Sequence, residues 1–195
     1  LQSIYKTISE AESRLGSRIE DLYDHIGQMM PRMDGELAVQ IGWAKAQNVR
    51  EDLLKTDSSC SRLLRDCIFI ARLFQKDDQI GWMKQEIDGY KTLSDTPEYR
   101  YCEVYTVEGI LYDRKIPLQE ALSEVESYQH QVVEKWLEHD VITVPSSEAR
   151  RIVHTVRDLA LKFLDEVREA YATSSVIHDL DKREITDRVG RTRKM

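Results

Sequence analysis

A chain of 195 residues with 41% hydrophobic and 32% charged residues can bury a core without disulfides or a structural metal, and is too apolar to be disordered. Its net charge of −7 argues against a general nucleic-acid-binding surface. Its three cysteines, Cys60, Cys67 and Cys102, form no C-x-x-C pair, and no 18-residue apolar run marks a membrane span.

With 8 glycines and 4 prolines, the chain is interrupted rarely, which favours few, long elements and therefore helices. Residues 1–30 read as one amphipathic helix. Ile4, Ile8, Ala11, Leu15, Ile19, Leu22, Ile26 and Met29 step by three or four residues, close to a heptad with one stutter. That stripe suits either a seam between copies or docking on the domain's own core. Pro31 and Asp34-Gly35 end it. Residues 36–55 form a second helix with Leu37, Ile41, Ala44, Val49 and Leu53 as its apolar face. Trp43 lies off that stripe and reads as a core or boundary residue, with a partner contact as the alternative.

Asp57, Ser58 and Ser59 are the candidates for the N-cap of a third helix. Its apolar set, Cys60, Leu63, Leu64, Cys67, Ile68, Ala71 and Phe74, is wide enough for a central position, so the cysteines read as buried reduced thiols. Lys76-Asp77-Asp78 breaks the chain and starts a fourth helix with Ile80, Met83, Ile87 and Tyr90 inward and Gly89 at its C-terminal cap. After a loop at 91–98, residues Tyr99 to Val107 alternate as a strand does, and Ile110 to Tyr112 is the partner for a small hairpin. Pro117 starts a fifth helix, whose Leu118, Leu122, Val125, Val132 and Trp136 carry it to about His139. Val141 to Pro145 is an extended link. Ser146 or Ser147 caps the last strong helix, in which Ala149, Ile152, Val153, Val156, Leu159, Ala160, Phe163, Leu164, Val167 and Tyr171 keep the best helical period of the chain.

The expected fold class is mainly α: a helical bundle of five or six helices with a small β-hairpin or strand element near 99–112. Residues 1–55 read as an N-terminal helical arm, 56–172 as a helical domain and 173–195 as a basic C-terminal tail. From Lys182 to Met195 six basic residues face two acidic ones, a net +4 that leaves the rest of the chain at −11.

Several residues within 60–105 together resemble the AbiTii domain, a family named after a component of bacterial abortive phage-infection systems. Leu63-Leu64 and Ile70-Ala71-Arg72-Leu73 match its apolar helix, Trp82, Glu86 and Asp88-Gly89-Tyr90 its W-x-x-x-E-[LI]-[ND]-G-Y helix end, and Pro97-Glu98-Tyr99-Arg100 its P-x-Y-R strand entry. A second patch, Ile152 to Arg157 into Leu164, resembles a later helix of the family. Residues 1–55 look like an added arm, and 106–150 depart from the Gly- and Pro-rich stretch of the family. The resemblance implies a role in prokaryotic defence against phage and brings no catalytic residues with it. Trp82, Glu86, Tyr90, Tyr99 and Arg100 make either a structural corner or a surface for a ligand or partner.

Reaction chemistry is thinly marked. Arg18 and His25 lie two helical turns apart, in the spirit of helical ribonucleases that polarise and protonate a phosphate, but one such match is about what chance supplies. His130, Glu134 and His139 would neighbour one another on a fifth helix without completing a metal motif. No G-x-S-x-G, phosphate-cradling glycine loop or cysteine beside a histidine occurs. The first residues, Leu1 to Lys6, lack the layout of a signal peptide. The expectation is a cytoplasmic, non-enzymatic subunit, adaptor or sensor of an antiphage system. It would need no cofactor or metal and no membrane, and would act through a protein partner or as a homo-oligomer. One alternative is a toxin effector, such as a ribonuclease using Arg18 and His25. Another is a nucleic-acid sensor using Arg188, Arg191, Arg193 and Lys194, although no aromatic side chains adjoin Arg191 and Arg193 to stack bases.

Overall fold

The computed structural model describes residues 35–55, 57–106, 115–137 and 140–171. Outside those residues lie the 1–30 stripe with Arg18 and His25, the extended piece at 110–112, His139, and the tail with Arg188, Arg191, Arg193 and Lys194. Among the described residues the helices are α1 (Gly35–Leu53), α2 (Cys60–Leu73), α3 (Asp77–Asp88), α4 (Leu122–Ser127) and α5 (Ser146–Tyr171). The strands are β1 (Tyr101–Cys102), β2 (Tyr105–Thr106), β3 (Ile116–Pro117), β4 (Val133–Leu137) and β5 (Asp140–Val144). The fold is mainly α with a small β element, as the patterning predicts.

The apolar residues of α2 point to nearly all sides, and the helix is correspondingly central. Cys60, Leu63, Leu64, Cys67, Ile70 and Ala71 are all buried, and α1, α3, α4 and α5 pack around them. Its first turn leaves unbonded N–H groups that two side chains take up. Ser59 Oγ accepts from the Arg62 N–H at 3.3 Å. The Glu126 carboxylate of α4 accepts from the backbone of Cys60 and Ser61 and from the hydroxyls of Ser61 (2.6 Å) and Ser59 (3.1 Å). An anion there also opposes the positive end of the helix dipole.

The long stripe of α5 is buried from Ala149 through Ile152, Val156, Ala160 and Phe163 to Val167. One charged residue, Arg157, sits in that stripe. Its guanidinium donates to the carbonyls of Leu53 (2.7 Å), Lys55 and Ser58 (2.8 Å). Those carbonyls belong to the end of α1 and the joint to α2, where no helical partner exists, so one arginine satisfies three acceptors and ties three segments together.

Two expectations need correction. The inward face of α1 keeps Val49 and Leu53 and takes in Trp43, in line with its core reading, and Ala46, while Leu37 (47% exposed), Ile41 (39%) and Ala44 face outward. The roll of the helix is set where Gly42 meets Phe74: a Cβ at Gly42 would lie 2.7 Å from that ring. A side chain there would have to displace the ring, and this close approach accompanies the burial of the neighbouring Trp43. The second correction concerns the fifth helix, which stops at Ser127, passes through a 3-10 turn at Tyr128–His130 and becomes strand β4. The apolar spacing of Val125, Val132 and Trp136 was too sparse to fix a helical period. The β-branched residues Val141, Ile142, Thr143 and Val144 offer a partner strand instead. β4 pairs antiparallel with β5 from Val133↔Val144 to Leu137↔Asp140.

The strand element near 99–112 is present, and among the described residues its partners are distant in sequence. β1 pairs with β3 (Cys102↔Ile116), and β2 pairs with β5 (Tyr105↔Thr143) in a three-stranded sheet of order β2-β5-β4. The alternation holds: Arg100, Cys102 and Val104 are fully buried, while Tyr101, Glu103 and Tyr105 are not.

Candidate functional site

The corner runs from Trp82 on α3 to Arg100 at the entry of β1. α3 ends at Asp88, and Gly89 turns the chain with φ +87°, a conformation that side chains with a Cβ resist. A Cβ there would also lie 2.7 Å from the Gln119 carbonyl oxygen. That close approach lets the Tyr90 N–H donate to the same carbonyl at 2.7 Å. The turn thus delivers Tyr90 back over the last turn of α3, where Glu86 points, four residues earlier.

Glu86 and Arg100 are both 0% exposed and form an ion pair. Burying two charges is favourable only if their remaining hydrogen-bonding capacity is also used. It is. Arg100 Nη1 donates to the carbonyls of Leu118 (3.4 Å) and Glu120 (3.2 Å). Glu86 Oε1 accepts from the hydroxyls of Tyr90 and Tyr99 (2.6 Å) and, at 3.4 Å, from Arg100 Nε. The guanidinium also lies 5.4 Å from the centre of the Tyr90 ring. From outside, Arg151 of α5 donates to the carbonyls of Tyr99 (3.0 Å) and Tyr101 (2.9 Å), fastening the long helix to the corner. Burial, then the Glu86 charge, then the hydrogen bond to it push both tyrosine hydroxyls above their ordinary range, so they stay protonated donors.

The structure therefore joins four of the five predicted residues, Glu86, Tyr90, Tyr99 and Arg100, in one network. Trp82 stands apart: its indole Nε1 donates to Gln79 Oε1 at 3.0 Å. It lines, with Tyr90 and Tyr99, a cleft of about 320 Å³ beside the network. Pro97 and Asp95 close one side, and Leu159, Lys162, Phe163 and Glu166 of α5 close the other. The α5 residues carry no signal of this role in the sequence, where Leu159 reads as one more core position. It is 37% exposed because the cleft lies against it.

The chemistry on offer follows from what is already bonded. The ring donors of Trp82, Tyr90 and Tyr99 are spent on Gln79 and Glu86, so these residues line the cleft as aromatic carbon rather than as hydrogen-bond donors. The thiols are remote from reaction: burial raises Cys60 and Cys102 to about 12 and Cys67 well above its usual value. His130 and Glu134 fall on a 3-10 turn and on β4 rather than on one helix. Among the described residues no group of three His, Cys, Asp or Glu is placed to hold a metal, and no helix is long and apolar enough to cross a membrane.

The resemblance read from residues 60–105 is borne out by comparison with protein families: the AbiTii family model matches residues 46–138. The match begins within α1, contains the whole corner, and ends before α5. It relates this part of the chain to abortive infection. No curated protein and no solved structure gives a significant match.

Proposed function

We propose that this chain is a non-enzymatic adaptor or sensor subunit of a prokaryotic abortive-infection system, acting through protein–protein contacts centred on the cleft beside the Glu86–Arg100 network. The observation that carries the reading is the saturation of that network. Its charged and hydroxyl groups are bonded to one another and to backbone carbonyls, which suits holding a shape better than moving a proton. What faces outward is an aromatic cleft with polar edges, the composition that recognition surfaces favour. The family match over 46–138 supplies the biological setting.

The test is co-expression of the untagged genomic neighbours with this chain and measurement of the mass of the recovered complex. A defined hetero-complex that is lost in Leu159→Asp, with the helical circular dichroism unchanged, is the expected result. A lone homo-oligomer, with toxicity that disappears in Arg18→Ala/His25→Ala, would overturn it in favour of an effector.

A further inference from the structure

We propose that the cleft beside Trp82 binds the cationic side chains of this chain's own basic tail, residues 182–195, so that the recognition surface is occupied from within until a partner displaces the tail. The inference rests on the reading of the cleft as a recognition surface.

Three observations converge on a cationic occupant. The first is the spent donors: the ring N–H of Trp82 and the hydroxyls of Tyr90 and Tyr99 are already bonded, so the aromatic wall of the cleft offers an anion no donor of its own and suits a cation over an aromatic face. The second is charge. Asp95 and Glu166 line the cleft against the single cation Lys162, and the buried Arg100 behind it is neutralised by Glu86. The third is the distribution of charge along the chain, with +4 in residues 182–195 and −11 in the rest. An arginine side chain is a flat, weakly hydrated cation and suits such walls better than lysine does.

The tail is the occupant of choice because it is tethered beside the site. Glu166 lies five residues before the end of α5 at Tyr171, about 7.5 Å along the helix axis. The ten residues from 172 to 181 can span up to about 33 Å when extended. A tether of this length holds the tail at an effective concentration near the millimolar range, which makes weak individual contacts sufficient.

The experiment uses the full chain labelled with 5-fluorotryptophan, whose three tryptophans give separate fluorine resonances, with Trp82 assigned by Trp82→Phe. Neutralising the tail (Arg188→Gln, Arg191→Gln, Arg193→Gln, Lys194→Gln) is expected to shift the Trp82 resonance and leave Trp43 in place. Adding a synthetic peptide of residues 182–195 to that variant is expected to restore the original position saturably, and less so at high salt. Glu166→Lys in the full chain is expected to give the same shift and, added to the tail variant, to block the rescue. An unchanged Trp82 resonance in the tail variant overturns the proposal, even if the peptide binds in trans, because the occupant then comes from elsewhere. A tail that binds a single-stranded oligonucleotide while the Trp82 resonance stays fixed on neutralising the tail overturns it equally. These outcomes are independent of whether a hetero-complex is recovered, so a failed adaptor reading and a failed tail contact are told apart.

Discussion

Glu86 serves four donors at once. It balances the Arg100 charge and accepts from two tyrosine hydroxyls, so its parts are separable by substitution. Glu86→Gln keeps an acceptor for the tyrosines and strands the Arg100 charge. Arg100→Met removes the charge and strands Glu86 along with the carbonyls of Leu118 and Glu120. Each single change is expected to cost about 3–5 kcal/mol, the usual penalty for leaving one buried charge uncompensated. The double variant Glu86→Gln/Arg100→Met should cost far less than the sum, with a coupling of about 2 kcal/mol or more in urea unfolding. Additive losses would mean that the two residues do not act as a pair.

The tyrosines extend the argument to pH. Their folded-state proton affinity is raised above the ordinary tyrosine value of 10, chiefly by burial. The folded state therefore holds these protons after the unfolded chain releases them. The resulting stabilisation is fully present below about pH 10 and is lost as pH rises past it. The melting temperature should fall steeply between about pH 9.5 and 11 and less steeply in Tyr99→Phe, which has no proton to hold. Equal slopes in the two proteins would remove Tyr99 from the alkaline transition.

At the scale of elements, two glycines of the α3 region make opposite predictions. Gly81 sits inside the helix with nothing within 4 Å of an added Cβ, so Gly81→Ala should stabilise by about 0.5–1 kcal/mol. Gly89 has φ +87° and a Cβ position 2.7 Å from a carbonyl oxygen, so Gly89→Ala should destabilise by about 1–3 kcal/mol from the backbone alone. Chemical denaturation of the two variants against the parent measures both signs. The Gly89 turn was legible in the sequence because a helix stripe, a glycine and an aromatic follow one another in eight residues. The same holds for α2 and α5, whose apolar periods run over many turns, and for the alternation along 99–106, although which set faces inward, Arg100, Cys102 and Val104, is set by the Glu86 pair and the core. What local pattern could not show depends on remote partners. The roll of α1 is decided by the Phe74 ring against Gly42, and β4 is decided by the β-branched strand that follows it. The cleft wall belongs to the same class. Leu159 and Glu166 sit more than fifty residues from the corner they complete, and only the bond from Arg151 to Tyr99 and Tyr101 and the packing behind it bring them there.

For the molecule as a whole, the question is whether the core around α2 opens in one step. Cys60 and Cys67 lie on α2 and Cys102 on β1, and all three are buried in a single apolar cluster. Arg157 joins the end of α1 to α5, Glu126 joins α4 to α2, and the Glu86–Arg100 pair joins α3 to β1. With every neighbour of α2 cross-tied in this way, a local opening that exposes one thiol must break a tie shared with another element. Burial holds the thiols protonated, with Cys60 and Cys102 at about 12, so the native state supplies no thiolate near neutral pH. Labelling by an aromatic disulfide at pH 8 should therefore be negligible in the native protein and should proceed through global opening. In low urea the three thiols should react with one shared rate, which rises with urea by the same slope as the equilibrium unfolding. If Cys102 labels well ahead of Cys60 and Cys67, the sheet carrying β1 opens separately from the helices, and the corner at Arg100 then belongs to a less stable unit than the core it packs against.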